Sequence, residues 1–180
     1  PAVFGARPEW ESILKFHAAG VPTVIPVAFG EDEGHSWLLL EGLENSQDLL
    51  DLTQLTADGD ELRRWTRELA EIAARMHAAG LHHQDFYLNH VLLCPGESGT
   101  SELRVIDLGR AREQRPLNLR WILKDLSQLN YSARHLPCSV RLRFLRNYLG
   151  RPLNKSDRRM IWWLQRKAEQ IARHSAKHRL

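Results

Sequence analysis

The 180-residue sequence has only two cysteines, Cys94 and Cys138, and neither belongs to a CxxC pair. Isolated thiols of this kind build no disulfide framework and suggest no zinc site, so a reducing, cytosolic setting is the simplest expectation. Long apolar runs are missing too: none approaches the ~18 residues that a bilayer-spanning helix requires. No basic-then-apolar leader opens the chain, which therefore reads as soluble. No internal repeat or low-complexity tract interrupts it. Charge of one sign is scarce overall, with a formal net charge of +3, but the basic surplus gathers after Arg110. Such asymmetry fits an anionic partner at that end or a solvated helical face. The length suits one domain with a real core, or one large lobe with part of another. The first residue is Pro1, with no initiator Met, and the expectation is a piece of a longer protein.

What is present reads as alternating helices and short hairpins. Over residues 8–19, Trp10, Ile13, Leu14 and Ala18 fall at helical spacing, with Pro8 suited to a first turn and Gly20 to a stop. "TVIPVAFGE" and "HSWLLLEGL" flank the turn-like "EDEG" and predict an antiparallel hairpin. "NSQDLLDL" predicts a short helix capped by Asn45 or Ser46. From Asp60 to Ala79 the apolar residues Leu62, Trp65, Leu69, Ile72 and Met76 step by three and four, the stripe of a long helix closed by Gly80. "HVLL" and "LRVIDLG" around the turn "CPGESGTS" predict a second hairpin. Everything after Asn118 reads as helical, and Ile161, Leu164, Ala168 and Ile171 form a stripe on a basic final helix.

Between the long helix and the second hairpin lies "LHHQDFYLNHVLL", residues 81–93. Three readings compete for it. His82, His83, Asp85 and His90 have metal-ligand chemistry, though a turn gives them no fixed geometry. A polar turn with no partner elsewhere is the second. The third uses the hairpin: His83-Gln84-Asp85, then a strand, a turn, and a strand ending in Asp107-Leu108-Gly109, follows the order of the catalytic and metal-binding loops of protein kinases. Phosphoryl transfer needs one carboxylate to orient the attacking hydroxyl and accept its proton, and another to hold the magnesium that bridges the phosphates. A hairpin sets two such groups side by side.

"ARPEWESILKFHAAGVPTVIPVAFGE", "HHQDFYLNHVLL" and "VIDLGRA" together resemble the lipopolysaccharide core kinases, a bacterial family that phosphorylates heptose or Kdo sugars of the inner core. The resemblance covers roughly residues 6–130. In that family histidine follows the catalytic aspartate by five positions, where protein kinases have asparagine, and tyrosine follows it by two; here these are His90 and Tyr87. It implies an α+β, protein-kinase-like fold, mostly the helical C-lobe with a truncated N-lobe. Residues 1–43 would be the partial N-lobe, with a helix, hairpin and hinge, and residues 44–180 the C-lobe.

By this resemblance Asp85 is the general base and Asp107 the magnesium ligand. His90 replaces the second metal ligand, or binds phosphate, or positions Asp85. His83 braces the loop, and Asp125 in "LKDLSQL" is the buried helical aspartate that holds it from below. The backbone of Glu41 and Leu43 faces adenine. ATP and magnesium are the implied cofactors, and an inner-core glycolipid the implied partner, with no nucleic acid. Gln84 stands where protein kinases often have arginine, and the segment after Asp107 is short, so regulation by loop phosphorylation is not expected. Glu9, with Glu11 as alternative, is the candidate glutamate for the phosphate-binding lysine. Residues 1–8 hold Arg7 but no lysine and no Gly-rich loop, so the first small-lobe strands are expected to be missing and the isolated chain inactive. Arg110, Arg112 and Arg115 would attract carboxylates and phosphates of the acceptor at the cytoplasmic face of the inner membrane. Trp162 and Trp163 would rest on anionic lipid, or belong to an ordinary packed helix with a basic outer face. The alternative to an enzyme is a pseudokinase that binds a glycolipid or protein without turnover.

Overall fold

The computed structural model describes residues 6–55, 59–96 and 100–177, and the turn expected over residues 94–101 falls partly outside them. Helix α1 (Ala6–Ala18) leads into a hairpin of β1 (Pro26–Asp32) and β2 (His35–Leu40). The Ala6 N–H is received by the Ser36 hydroxyl at 2.8 Å, so the hairpin caps the helix. Trp10 stacks on Phe29 with ring centroids 5.9 Å apart. The buried face of α1 is Ser12, Ile13 and Phe16, while Leu14 and Ala18 of the expected stripe are exposed. The helix is rotated because Phe16, one turn beyond Ile13, supplies the larger apolar surface to bury. Gly30 faces Trp37 across the hairpin, and a Cβ there would lie 2.4 Å from the indole ring.

A short strand β3 (Gln47–Asp48) pairs with β5 (Val91–Pro95), which pairs in turn with β6 (Ser101–Val105). Helix α2 spans Leu49–Leu55. Its cap is Asp48, whose carboxylate accepts the Asp51 N–H at 2.8 Å. Asn45 and Ser46 do not cap it: Asn45 sits at φ 54 and the Ser46 hydroxyl donates to the Leu43 carbonyl at 2.8 Å. The turn residue therefore lies nearer the helix than the run of polar residues implied.

Helix α3 (Asp60–Ala78) buries Leu62, Trp65, Leu69, Ile72 and Met76, the stripe its spacing predicts. Its outer face is tied to β6 by Glu68, which accepts the Leu103 N–H at 2.6 Å, and by Arg64, which donates to the Ser101 carbonyl at 3.1 Å. Then come β4 (Leu81–His82) and, after the β5–β6 hairpin, β7 (Arg112–Glu113), which pairs with β4. That two-residue pairing has no period for a sequence to display.

Among the described residues the helical stretch after Asn118 holds three α-helices, α4 (Leu119–Ser132), α5 (Cys138–Leu149) and α6 (Arg158–Lys177), the last preceded by a 3-10 turn over Lys155–Asp157. Asn118 caps α4 by accepting the Arg120 N–H at 2.9 Å. Pro137 opens α5 and Gly150, at φ 63, closes it. The main core joins α1, α3 and the β5–β6 hairpin around Phe16, Met76, Phe86 and Leu103, and a second cluster joins Leu126, Leu145 and Leu164 of α4, α5 and α6. Of the stripe expected on α6 only Leu164 is buried; Ile161, Ala168 and Ile171 are half-buried, and Trp162 and Trp163 are exposed.

Met76 is wholly inaccessible and lies between the helices and the hairpin. Met76→Ala should lower unfolding free energy by about 2–5 kcal/mol, read as a reduced urea midpoint with an unchanged denaturant slope.

Candidate functional site

The loop between β4 and β5 is shaped by a carboxylate beneath it. Asp125 on α4 is fully buried. Its Oδ2 accepts the His83 N–H at 2.8 Å and its Oδ1 the Gln84 N–H at 2.9 Å. His77 Nε2 lies 3.3 Å from Oδ2. On the far side of that ring, His77 Nδ1 meets the Tyr148 hydroxyl at 2.9 Å, and the tyrosine is pushed up to about 12 by burial and then by Asp125. A charge so deep is tolerable only with such donors around it. Gln84 takes φ 72, a left-handed backbone that costs a non-glycine residue roughly 1–2 kcal/mol. Besides its amide, its carbonyl is held, by Gln128 Nε2 at 2.7 Å.

His83 is also fully buried. Its Nε2 lies 3.0 Å from the Ile106 carbonyl, which can only accept, so the hydrogen is on Nε2 and Nδ1 is left to receive the Asp85 N–H at 3.3 Å. Burial pushes the imidazole below the ordinary histidine value. His82 is pushed down by burial as well, and stacks on Trp121 at 4.6 Å. The His83–Ile106 bond fastens the loop to the residue before Asp107. Asp107 itself takes φ 60, and Leu108 behind it is fully buried.

Asp85, His90 and Asp107 come together at this junction. His90 Nδ1 lies 2.8 Å from the Asp85 main-chain carbonyl, which obliges that nitrogen to be the donor. In the neutral ring the Nε2 lone pair then faces Asp107, whose Oδ2 is 3.6 Å away. Among the described residues no third His, Cys, Asp or Glu joins to make a metal cluster, so the His82, His83, Asp85, His90 set does not converge on an ion. An imidazole beside a carboxylate is too open for structural zinc, which takes four protein ligands. It fits magnesium, which keeps several waters and takes one or two carboxylates together with phosphate oxygens.

The remaining expected residues are spread around the junction. Glu9 of α1 reaches the Asp107–Gly109 turn: its carboxylate accepts the Leu108 N–H and lies within 3.6 Å of where a Cβ on Gly109 would stand. Burial, and then the charge of Asp107, push it above the usual carboxylate range. Glu11 is exposed. Lys15 pairs with Glu113 at 3.4 Å. Glu41 and Leu43 lie in the linker after β2; the Glu41 N–H donates to the Ile25 carbonyl at 2.9 Å, and the Leu43 carbonyl accepts the Ser46 hydroxyl.

Gln128 and Lys124 were not singled out from the sequence. Each sits one helical turn or less from Asp125 on α4, and both reach Gln84. The i, i+3 spacing of Asp125 and Gln128 was the available signal, since such residues share a helix face.

The family model described as "Lipopolysaccharide kinase (Kdo/WaaP) family" matches residues 2–148. The lipopolysaccharide core heptose(I) kinase WaaP of Pseudomonas aeruginosa is 38% identical over 186 residues, spanning 94% of this chain and 69% of that protein. Its counterpart from Escherichia coli is 32% identical over 186 residues, spanning 94% and 70%. A solved structure of WaaP in complex with acyl carrier protein superposes with a TM-score of 0.80 at 35% identity, over 93% of this chain and 76% of that one.

Asp125→Ala should strand the buried His83 amide and the partly buried Gln84 amide and remove charge-assisted hydrogen bonds of about 1.5–3 kcal/mol each, visible as a several-kcal/mol loss in urea unfolding. For His82 and His83 the folded pKa lies below the unfolded one, so the unfolded state binds more protons on acidification. Unfolding free energy should fall as pH drops below about 6.5, and His83→Gln should flatten that slope.

Proposed function

This chain belongs to the lipopolysaccharide kinase (Kdo/WaaP) family and is a phosphotransferase, and from that premise we propose that it transfers the γ-phosphoryl group of ATP to a heptose hydroxyl of the lipopolysaccharide inner core. The observation that carries the reading is the single junction at which the Asp85 carbonyl aims His90 toward Asp107. Asp85 is the general base. It holds the acceptor hydroxyl, takes its proton as the new O–P bond forms, and the bridging bond to the β-phosphate breaks to leave ADP. His90 and Asp107 are the residues that would hold magnesium, which when bound supplies positive charge to the phosphate oxygens. His83 and Asp125 are positioning residues, since their hydrogen bonds end on the loop backbone and not on the reacting atoms.

A protein-kinase-like arrangement of lobes accounts for the rest. Residues up to 43 form part of the small lobe and residues from 44 the helical lobe. Between them the Glu41 carbonyl and the Leu43 N–H, the groups left over by the hydrogen bonds of the linker, receive the adenine edge. Glu9 faces Asp107 as the partner of a phosphate-binding cation. The acceptor is a glycolipid, so the protein works at the cytoplasmic face of the inner membrane; no helix of the described residues is long and apolar enough to cross it. Acyl carrier protein, bound by the WaaP of the solved complex, is the proposed protein partner.

In the full-length enzyme, Asp107→Asn should remove magnesium-supported turnover and weaken the magnesium dependence of ADP binding in calorimetry, because a neutral amide is a poor partner for a hard cation. Asp85→Ala should cut kcat by about 10²-fold or more while ADP affinity holds. Lost nucleotide binding with an unaltered rate constant would give Asp85 another role.

A further inference from the structure

Arg110 pairs with the Asp85 carboxylate, and a second cation, Lys124, reaches the side chain of the neighbouring Gln84. Arg110 Nη1 lies 2.9 Å from Asp85 Oδ2 and 3.1 Å from Oδ1, so a single guanidinium nitrogen covers both oxygens. Lys124 Nζ approaches Gln84 Oε1 at 3.5 Å, while Gln84 Nε2 donates to the Arg110 carbonyl at 2.8 Å. Gln84 thus links the two basic residues through its own amide. Lys124 also lies 5.7 Å from the ring of Trp121, which the Arg120 guanidinium approaches at 4.4 Å. Burial, followed by the charge of Arg110, pushes Lys124 below the ordinary lysine value.

Lys124 makes no ion pair with a carboxylate among the described residues. The buried acid nearest in sequence, Asp125, is committed to the His83 and Gln84 amides and to His77. A half-buried ammonium facing an arginine is unfavourable until an anion arrives. Arg110, by contrast, is mostly exposed, with a side-chain accessibility of 60%, and is free to swing. While it stays on Asp85, an incoming hydroxyl competes with it for the same oxygens.

We propose that Arg110 and Lys124 form a subsite for an anionic group of the acceptor, a carboxylate or phosphate near the reacting hydroxyl, and that filling it draws Arg110 off Asp85. The base is then uncovered when an acidic acceptor is in place, and a neutral sugar or water leaves it paired. This rests on the proposed role of Asp85. The exchange replaces the Asp85 contact of Arg110 with one to the bound anion and adds the Lys124 contact, so its net gain comes from a lysine that, among the described residues, has no carboxylate partner before binding.

The test is calorimetric binding in the presence of magnesium and a non-hydrolysable ATP analogue. The probes are a Kdo-containing inner-core oligosaccharide, its carboxyl-reduced form and its dephosphorylated form. One charge-assisted contact is worth about 10- to 100-fold in affinity, so the wild-type protein should bind the intact probe at least about tenfold more tightly than one of the two neutralised forms. The form that loses affinity identifies carboxylate or phosphate as the ligand. Arg110→Ala and Lys124→Ala should each shrink the preference to a few-fold, and Lys124→Arg should keep most of it. Asp85→Asn should strengthen the intact probe several-fold and not the neutralised one, because Arg110 is released. Equal wild-type affinity for all three probes, or variants that weaken charged and neutral probes alike, would overturn the proposal. An Asp85→Ala protein with wild-type turnover and an intact binding preference would instead overturn the base assignment and leave the subsite standing.

Discussion

The rest of the site depends on one buried charge. Asp125 lies on α4 with no exposed surface, and its two oxygens receive consecutive main-chain amides, those of His83 and Gln84. That contact joins the helical body to the loop before β5 at a point where the backbone turns left-handed at Gln84. Without an acceptor below, the buried His83 amide and the partly buried Gln84 amide would be unpaired, a cost comparable to the strain they now offset. His77 and Tyr148 continue the chain of polar contacts from α3 to α5, so the loop is anchored to three helices through one side chain.

From that anchor the geometry passes upward by main-chain contacts. His83 donates to the Ile106 carbonyl, and Ile106 donates its own N–H to the His90 carbonyl. The residue before Asp107 is therefore held by both ends of the loop. The His90 hydrogen bond runs to the Asp85 main-chain carbonyl and not to its carboxylate, so a change at Asp85 that spares the backbone keeps that bond. The polar groups at the centre act on one another mainly through peptide units, which have fewer degrees of freedom than side chains and hold their positions at smaller entropic cost.

Electrostatically the junction is unfinished in two places. On one side, burial and then the charge of Asp107 push the Glu9 carboxyl above the usual carboxylate range, where a cation would relieve it. On the other, Arg110 pairs with Asp85 while Lys124 reaches the adjoining Gln84 side chain. A phosphate transfer site has this character, because the nucleotide and its metal bring charges that the empty protein must lack.

The sequence by itself determined the elements with a clear period and the order of the polar motifs. The α3 stripe and both hairpins follow from spacing, since burial of a face repeats every three or four residues in a helix and every two in a strand. The order His83, Asp85, His90, Asp107 was legible because those residues are close in the chain and separated only by a hairpin. Tertiary structure decided what spacing does not encode. The buried face of α1 turned to Ile13 and Phe16 because of what packs against it, and the cap of α2 moved to Asp48 because β3 reaches that far. The β4–β7 pairing, the reach of Lys124 and Gln128 to Gln84, and the covering of Asp85 by Arg110 join residues that lie 25 or more positions apart. Such contacts exist only once the helices and hairpins have packed, since local preference acts over a turn and hydrogen bonds of this kind act through space.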